Sequence, residues 1–427
     1  MKKSMNFDQA VTYLKSYVSY EDLATLQYSE EFFNLERYRK FLKAYGVRYR
    51  DLRCVHVAGS KGKGTTSWLV AEYLARAGGG VGDGAKVGLF TSPYLIDATE
   101  SFFVGGGRKG KMRGISKADF VRRVERVREF LDEWADRDKG RYVTYFEILF
   151  ALVMEYFLEV GVDFAVVEVG LGGRLDATNV VRPVVTALTT VEKEHTEVLG
   201  STYRQILGEK LGIVKEGVPL VVAPQRVAVL GELVKMKFDV PVAYVDGKVG
   251  DNYAVAREIL WVMVEEGVID GFDEEVFREV FDGLQIPGRF DVRSLQVRTP
   301  PRGGDNRLVF DMAHTIESAK VLRKGLEREF SGKEFVYLIS MMKGKNVGGF
   351  LKGLGIGVRG AGVKAVFTSS HEVRGMSGAE LEKIAGFGEA CEDWAEAFAR
   401  AKKGLKKDQV LVVTGSHFLV GKILKTL

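Results

Sequence analysis

Runs of mostly apolar residues alternate with amphipathic stretches along the chain. The apolar runs at residues 87–90, 164–169 and 184–191 predict buried strands, because strands of a parallel sheet are covered on both faces. The last of these strands leads to Glu194 and His195, which are expected at its end. The stretches at residues 67–77 and 145–157 place apolar side chains at helical spacing. This alternation predicts an α/β fold, in which a parallel sheet has helices on both of its faces.

A break in the pattern at residues 284–290, LQIPGRF, divides the chain. A proline and a glycine follow a predicted helix there, and both residue types interrupt helices. A second series then begins, with predicted strands at residues 308–311, 335–340, 365–368 and 410–414. We therefore predict two domains, residues 1–288 and 289–427, with a helical segment at residues 7–46 that packs on the first.

Length and composition narrow the class of protein. At 427 residues the chain exceeds the size at which single cores stop growing, about 250–300 residues. Apolar residues make up 46% of the chain, and its net charge of +5 suits an anionic ligand without indicating nucleic-acid binding. Two distant cysteines, an N-terminus without a signal-peptide core and no membrane-spanning apolar run predict a cytoplasmic protein. We expect neither a nucleic-acid nor a membrane partner.

The segment at residues 55–66, VHVAGSKGKGTT, joins a predicted strand to a predicted helix through a glycine-rich turn. Glycines let the backbone close around an anion, and the N–H groups of a helix N-terminus attract phosphate. Lys63 is placed to reach a terminal phosphate, and a threonine hydroxyl to bind Mg2+. An ordinary glycine turn is the less favoured alternative, because two lysines in a tight turn repel each other unless an anion is near. The predicted nucleotide-binding residues here are Gly59, Ser60, Lys61, Gly62, Lys63, Gly64, Thr65 and Thr66.

A carboxylate near the end of a predicted central strand is a second candidate. Glu168 follows four apolar residues and precedes the glycine-rich stretch GLGGRLDATN. A buried carboxylate is costly unless it is paired or bound to a metal ion. Glu168 is therefore a candidate metal ligand.

Several motifs occur together in one order, and with them the chain resembles the folylpolyglutamate synthase/dihydrofolate synthase family of the Mur ligase superfamily. The run EVGLGGRLDATN is the most specific of them, and the set spans roughly residues 50–420. The motifs are GSKGKGTT at Gly59, FTSPYL at Phe90, TYFEIL at Thr144, VEVGLGGRLDATN at Val167, EHTEVLG at Glu194, EKLGIVK at Glu209, PGRF at Pro287, DMAH at Asp311 and VTGSHFLVG at Val413.

The resemblance implies a Mur ligase type of fold, in which a P-loop parallel-sheet ATP-binding domain precedes a smaller Rossmann-like α/β C-terminal domain. It also implies an ATP-dependent amide ligase that adds L-glutamate to a folate, as folylpolyglutamate synthase, or to dihydropteroate, as dihydrofolate synthase. In such a reaction the acceptor carboxylate takes the γ-phosphoryl group of ATP, and the glutamate amine then displaces phosphate. ATP and Mg2+ are the implied cofactors, and we expect a monomer with small-molecule partners.

Roles for residues of the first domain follow from the same resemblance. Lys63 is expected on the β- and γ-phosphates. Lys210 matches a lysine that is carbamoylated by CO2, and an unmodified lysine paired with Glu209 or Glu147 is the alternative. Glu147 is expected either to hydrogen-bond a metal-bound water or to pair with a basic residue. The expected Mg2+ ligands are Ser92, Glu168, His195 and Thr65.

Three residues of the second domain also match the family motifs. Arg289 is expected on the nucleotide phosphates, and Asp311 on the ribose or adenine. His314 is expected near the transferred phosphoryl group. The catalytic residues implied by the resemblance are thus Lys63, Lys210 and His314.

The departures from the family pattern lie mostly on the acceptor side. Tyr94 stands where similar enzymes have His, Ser101 where they have Arg, and Lys248-Val249 where they have His-Gln. These changes leave the ATP chemistry intact but leave the acceptor open. The alternatives are a Mur-type ligase that acts on a different carboxylate and a P-loop ATPase that has lost ligation.

Overall fold

The computed structural model describes residues 4–17, 33–77, 85–106, 111–137, 143–294, 306–356, 363–371, 373–406 and 409–427. The chain divides into two compact units, Met1–Leu284 and Gln285–Leu427. The boundary that we predict after residue 288 lies a few residues further along the chain.

An eight-stranded sheet organises the first unit. Its strands are β1 (Cys54–Ala58), β2 (Val87–Phe90), β3 (Phe103–Gly105), β4 (Arg113–Gly114), β5 (Phe164–Glu168), β6 (Pro183–Leu188), β7 (Leu220–Val222) and β8 (Val242–Tyr244). Their order across the sheet is β4-β3-β2-β5-β1-β6-β7-β8, and the strands from β2 to β8 in this order pair in parallel. All residues of β1 and β5 are buried, as their apolar sequences predict.

A hairpin extends the sheet beyond its parallel part. β3 pairs antiparallel with β2, and β4 pairs antiparallel with β3. Both strands are short, and β4 is exposed. They lack the continuous apolar run by which the parallel strands are predicted, so the periodicity misses them.

The first unit also contains the helices that surround this sheet in sequence. These are α1 (Phe7–Lys15), α2 (Leu35–Tyr45), α3 (Lys63–Ala77), α4 (Lys117–Arg137), α5 (Tyr145–Val160), α6 (Thr196–Leu199), α7 (Tyr203–Leu211), α8 (Val227–Leu233), α9 (Asn252–Glu265) and α10 (Glu274–Gly283). The predicted helical segment at residues 7–46 corresponds to α1 and α2, and its residues 18–32 lie outside the described part. No helix that the structure describes is long and apolar enough to span a membrane.

The second unit has its own sheet and buried core. Its strands are β9 (Asp291–Ser294), β10 (Arg307–Phe310), β11 (Glu334–Ile339), β12 (Lys364–Phe367), β13 (Glu389–Ala390) and β14 (Gln409–Thr414), in the order β13-β12-β11-β14-β10-β9. β9 is antiparallel to β10, whereas the other neighbours are parallel. The helices are α11 (Ile316–Glu329), α12 (Val347–Gly353), α13 (Gly378–Ala385), α14 (Trp394–Lys403) and α15 (His417–Leu424). The predicted α/β class is confirmed.

Candidate active site

The glycine-rich turn connects β1 to α3, which begins at Lys63 rather than at the predicted residue 67. The amide of Thr66 already donates to the carbonyl of Gly62 at 2.9 Å, so the last residues of the motif form the first helical turn. Gly59 has a φ of +146°, and a Cβ there would lie 1.9 Å from Oγ1 of Thr189. The turn therefore needs glycine at this position and presents the α3 N-terminus to solvent or ligand.

The chain that follows β6 lines this turn. The amide of Thr189 donates to the carbonyl of Ala58 at 2.8 Å. The amides of Ser60 and Lys61 both donate to the carbonyl of Thr190, at 2.9 and 3.0 Å. β6 therefore ends at Leu188, whereas the predicted strand ends at residue 191. The residues that follow Leu188 form hydrogen bonds with the glycine-rich turn instead of continuing the strand.

This detour changes the expected place of His195. The sequence puts it at the end of a strand, but it lies well past β6 and precedes the short helix α6. Its φ of 48° is left-handed, and its side chain is 53% exposed, 3.9 Å from a carboxylate oxygen of Glu197. The imidazole is therefore accessible from solvent.

Three ammonium groups surround one carboxylate beside the turn. Nζ of Lys63 and Nζ of Lys210 both donate to the carbonyl of Gly59, at 3.0 and 2.8 Å. The Glu194 carboxylate lies 3.4 Å from Nζ of Lys210 and 3.8 Å from Nζ of Lys61. Burial raises the pKa of Glu194, but the charges of the three lysines outweigh it and hold the pKa below its usual value. The cluster thus keeps an excess of positive charge at a helix N-terminus.

Lys210 is buried within this cluster. Burial, and then the nearby charge of Lys63, lowers its pKa to about 8, although Glu194 opposes the shift. The alternative pairing of Lys210 with Glu209 or Glu147 is wrong, because Glu194 is its acidic neighbour. Glu209 instead forms an ion pair with Arg174 at 3.1 Å.

Glu147 has a structural partner. Its carboxylate accepts from Nη2 of Arg37 at 2.8 Å and from the amide of Thr144 at 2.7 Å. The second contact belongs to the capping box that starts α5. Burial raises the pKa of Glu147, and the charge of Arg37 opposes that rise. Of the two expectations for this residue, pairing with a basic side chain is the one observed.

Two of the expected metal ligands meet at the carboxyl ends of β2 and β5. The amide of Ser92 donates to Oε2 of the buried Glu168 at 3.3 Å. Oγ of Ser92 is buried without a hydrogen-bond partner among the described residues, and so is Oγ1 of Thr66 in α3. Such orphaned oxygens suit a hard cation such as Mg2+. Within the described residues, no group of three or more His, Cys, Asp or Glu side chains forms a metal cluster, so a metal here would depend on hydroxyl ligands as well.

The stretch GLGGRLDATN holds its own loop together. Asp176 accepts from the amides of Leu171 and Thr178, both at 2.9 Å. Nδ2 of Asn179 donates to the carbonyl of Gly212 at 3.0 Å, and Nζ of Lys215 donates to Oδ1 of the same amide. These contacts join the loop after β5 to the end of α7. Sequence reasoning assigned no role to these residues, although two of the quoted motifs contain them.

Two of the residues that depart from the family pattern on the acceptor side form hydrogen bonds with nearby residues. Oη of Tyr145 donates to Oη of Tyr94 at 3.3 Å, and both rings are half-buried. Oγ of Ser101 donates to the carbonyl of Thr91 at 3.2 Å, which closes the loop on itself. Lys248 lies in an exposed turn before α9. Tyr94 and Ser101 are thus both held by hydrogen bonds within the first unit.

In the second unit, Asp311 is bound by backbone groups. It accepts from the amides of Phe290 and Ala313, both at 2.8 Å. Burial raises the pKa of its carboxyl, and these hydrogen bonds oppose that rise. A ring nitrogen of His314, Nδ1, lies 2.9 Å from the carbonyl of Met312. Arg289 is exposed on the turn that precedes β9.

Comparison with known proteins agrees with these observations. Residues 288–417 match the family model for the glutamate ligase domain of Mur ligases. The dihydrofolate synthase/folylpolyglutamate synthase of Bacillus subtilis is 37% identical over 190 residues, which are 44% of this chain and 41% of that protein. The matched segment thus spans less than half the length of this curated relative.

Solved structures share the fold over nearly the whole chain. Escherichia coli FolC, in complex with DHPP and ADP, gives a TM-score of 0.75 at 23% identity and covers 99% of this chain and 97% of that chain. The bifunctional folylpolyglutamate synthase/dihydrofolate synthase of Yersinia pestis, with AMPPNP and Mn ion, gives 0.75 at 22% identity, over 100% and 99%. The predicted Mur ligase type of fold is confirmed, and so is the resemblance to the folylpolyglutamate synthase/dihydrofolate synthase family.

Proposed function

We propose that this protein is an ATP-dependent ligase that joins L-glutamate to the carboxylate of a folate or of dihydropteroate through an acyl phosphate. The observation that supports this most is the cluster of Lys61, Lys63 and Lys210 around Glu194 and the carbonyl of Gly59. Before Lys210 is modified, the three ammonium groups and the Glu194 carboxylate leave about two positive charges uncompensated at a helix N-terminus. A polyphosphate supplies the missing negative charge.

Phosphoryl transfer to a carboxylate requires positioning and charge neutralisation more than covalent chemistry. Lys63 extends from the first turn of α3 and would contact the β- and γ-phosphates in place of the Gly59 carbonyl. Lys210 approaches the same carbonyl from α7, so its side chain, once carbamoylated, would lie beside the phosphates and assist the metal ion or the acyl phosphate. The buried surroundings of Lys210 strengthen these interactions, because water is excluded.

We propose that Mg2+ binds where the loop after β2 meets the end of β5. Ser92, Glu168, His195 and Thr65 are the proposed ligands. Ser92 is the best-supported one, because its hydroxyl is buried and has no hydrogen-bond partner among the described residues. The bound ion would neutralise charge on the phosphates during transfer. The Yersinia pestis neighbour contains AMPPNP and a Mn ion, which supports a nucleotide with a divalent metal here.

Lys210 is proposed to react with CO2 before the enzyme works. A neutral amine adds to carbon dioxide to form an N–C bond, and the released proton passes to solvent. A pKa of about 8 leaves roughly a tenth of the amine neutral at pH 7. The resulting carbamate would replace the ammonium with a carboxylate-like group near Glu194 and His195.

The second unit is proposed to supply further contacts. By the resemblance, Arg289 acts on the phosphates, Asp311 on the nucleoside and His314 near the transferred group. Because Asp311 already accepts two backbone N–H groups, it would offer the nucleoside only its remaining lone pairs. The proposed domains remain residues 1–288 and 289–427, in a monomeric cytoplasmic enzyme.

The proposed function has two versions, which differ in the carboxylate that accepts glutamate. Folates and dihydropteroate carry a carboxylate on an aromatic framework, and the E. coli neighbour is in complex with DHPP. The pair formed by Tyr94 and Tyr145 favours a second candidate, ligation of glutamate to a different carboxylate, since the hydroxyl of Tyr94 replaces the imidazole of similar enzymes.

The deciding experiment measures ADP release with Mg-ATP and L-glutamate, with dihydropteroate and tetrahydrofolate supplied separately. Mass spectrometry of the products follows each reaction. A product heavier by one glutamyl unit supports the proposal and distinguishes its two acceptors. ADP that forms only with glutamate and another carboxylate supports the second candidate. ADP without any amide product, across a panel of acceptors, indicates an ATPase that has lost ligation.

A further inference from the structure

One bulky residue of the second unit adopts a strained backbone conformation. Phe290 has a φ of 49°, in the left-handed region. For a bulky side chain this conformation is an unfavourable outlier. Phe290 directly follows Arg289, so the strain lies beside the residue that the proposed function assigns to the phosphates. Strain of this kind persists where the surrounding structure holds it in place.

Hydrogen bonds hold this turn on both sides of the arginine side chain. The amide of Arg289 donates to the carbonyl of Ile286 at 3.0 Å. The amide of Phe290 donates to Oδ2 of the half-buried Asp311 at 2.8 Å. Directly after Phe290 the chain enters β9, which is paired with β10. The backbone of Arg289 is therefore fixed, while its side chain is exposed.

The phenyl ring of Phe290 packs on α11 at a helical glycine. A Cβ on Gly325 would lie 2.6 Å from Cε2 of Phe290, so no other residue fits there without displacing the ring. Glycine inside a helix is destabilising relative to alanine. The ring of Phe330 lies further away, at 6.5 Å between centroids. The left-handed phenylalanine and the helical glycine are both locally unfavourable, and both are part of the contact between the Phe290 ring and α11.

We propose that Phe290 is a positioning residue that fixes Arg289 for the phosphates of the nucleotide. Its ring anchors the turn on α11, and its left-handed backbone leads the chain into β9 within one residue. Arg289 then extends from a turn that cannot relax without losing the packing at Gly325 or the hydrogen bond to Asp311. The inference rests on the proposed function only for the role of Arg289 in binding ATP.

Binding of Mg-AMPPNP to the full chain, measured by isothermal titration calorimetry, tests this without requiring ligation. We expect Phe290→Ala and Arg289→Ala each to raise the Kd about tenfold. We expect the double variant to bind no more weakly than Arg289→Ala alone, because both changes remove the same contact. A further tenfold loss in the double variant would overturn the proposal, and so would unchanged binding by Arg289→Ala.

Phe387→Ala is the matched control, since Phe387 is half-buried in the same core with its ring 5.9 Å from that of Phe367. We expect it to lower the Tm as Phe290→Ala does but to leave the Kd within twofold of the wild type. An equal loss of affinity would show general destabilisation and overturn the proposal.

Gly325→Ala provides a second, independent variant, because its methyl group displaces the Phe290 ring without changing either residue of the turn. We expect weaker Mg-AMPPNP binding, and wild-type affinity would overturn the role of the ring. If the wild-type protein binds nucleotide with this pattern but forms no glutamyl product, the proposed ligase function fails while the positioning role stands.

Discussion

Two lysines of the first unit have the same lowered pKa in different surroundings. Burial lowers the pKa of both Lys210 and Lys215 to about 8. Lys210 faces Lys63 and Glu194 beside the glycine-rich turn, whereas Lys215 donates to the neutral amide of Asn179. The lowered pKa alone therefore does not distinguish a reactive lysine, and the surrounding charges are needed to assign one.

The pH dependence of the reaction follows from the environment of Lys210. Because its pKa lies near 8, the neutral amine that reacts with CO2 increases as pH rises from 7 to 9. We expect added bicarbonate to stimulate glutamate ligation and to do so at lower concentration at pH 8.5 than at pH 7. Initial rates in CO2-depleted buffers measure this.

Lys210→Met should lower the rate of glutamate ligation by about a hundredfold or more. It should also abolish the response of this rate to bicarbonate. Lys215→Met is the control with the same pKa, and it should keep the bicarbonate response while losing less than tenfold in rate. A bicarbonate-independent rate in the wild-type enzyme would contradict carbamoylation of Lys210.

Tyr94 offers a test of the acceptor side. Its hydroxyl accepts a hydrogen bond from that of Tyr145, so the O–H of Tyr94 can donate to a ligand. We expect Tyr94→Phe to raise the KM for the acceptor about fivefold to tenfold, in line with about 1 kcal/mol for one hydrogen bond. The KM for ATP should remain unchanged.

Tyr253→Phe is the control for this variant, because its hydroxyl bonds Glu274 on a different part of the first unit. It should leave both KM values at wild-type levels. Equal changes in the two KM values of Tyr94→Phe would show that this hydroxyl supports the site as a whole rather than the acceptor.

At the scale of elements, sequence predicts best where the apolar pattern is continuous. β5 and β14 lie within a residue of their predicted ends, since each is a buried run of apolar residues. β4 and β9 are missed because they are short and polar, and β3 is missed because it spans only three residues; all three depend on antiparallel partners. The early start of α3 is missed because glycines normally mark loops.

The residues of the candidate site also divide into those that the sequence predicts and those whose contacts or positions it misses. Lys63 and Glu168 are candidates from the local sequence itself, whereas Lys210 is predicted only through the family resemblance. The pairing of Glu147 with Arg37 joins α5 to α2 across more than a hundred residues, and spacing gives no sign of it. The predicted position of His195 at the end of a strand is also wrong. The carbonyl of Thr190 accepts hydrogen bonds from the glycine-rich turn, so the segment between β6 and His195 is not part of the strand.

The buried ion pair between α2 and α5 should be important for stability. Arg37 is 13% and Glu147 5% exposed at the side chain, and Glu147 also completes the helix cap. Removal of one partner leaves an uncompensated buried charge, which costs about 3 kcal/mol or more. We therefore expect Arg37→Met to lower the free energy of unfolding by roughly 3 kcal/mol in urea titrations.

The exposed pair on the same helix, Glu36 with Lys40, is the matched control. Glu36→Gln should change the free energy of unfolding by less than about 1 kcal/mol, because exposed ion pairs contribute little. Similar losses in the two variants would mean that the Arg37 pair is screened by water and does not anchor α2.

At the scale of the whole molecule, nucleotide binding should be visible as stabilisation. A ligand that binds only the folded state at a hundred times its Kd adds about 2.7 kcal/mol, which raises the Tm of a unit of this size by roughly 5 °C. We expect this shift from Mg-AMPPNP in calorimetry of the full chain. Lys63→Ala should remove most of it, because the proposed phosphate contact is lost, whereas Lys235→Ala, an exposed lysine paired with Glu232, should retain it. A full shift in Lys63→Ala would mean that the glycine-rich turn does not hold the phosphates, and the proposed ATP site would then have to be abandoned.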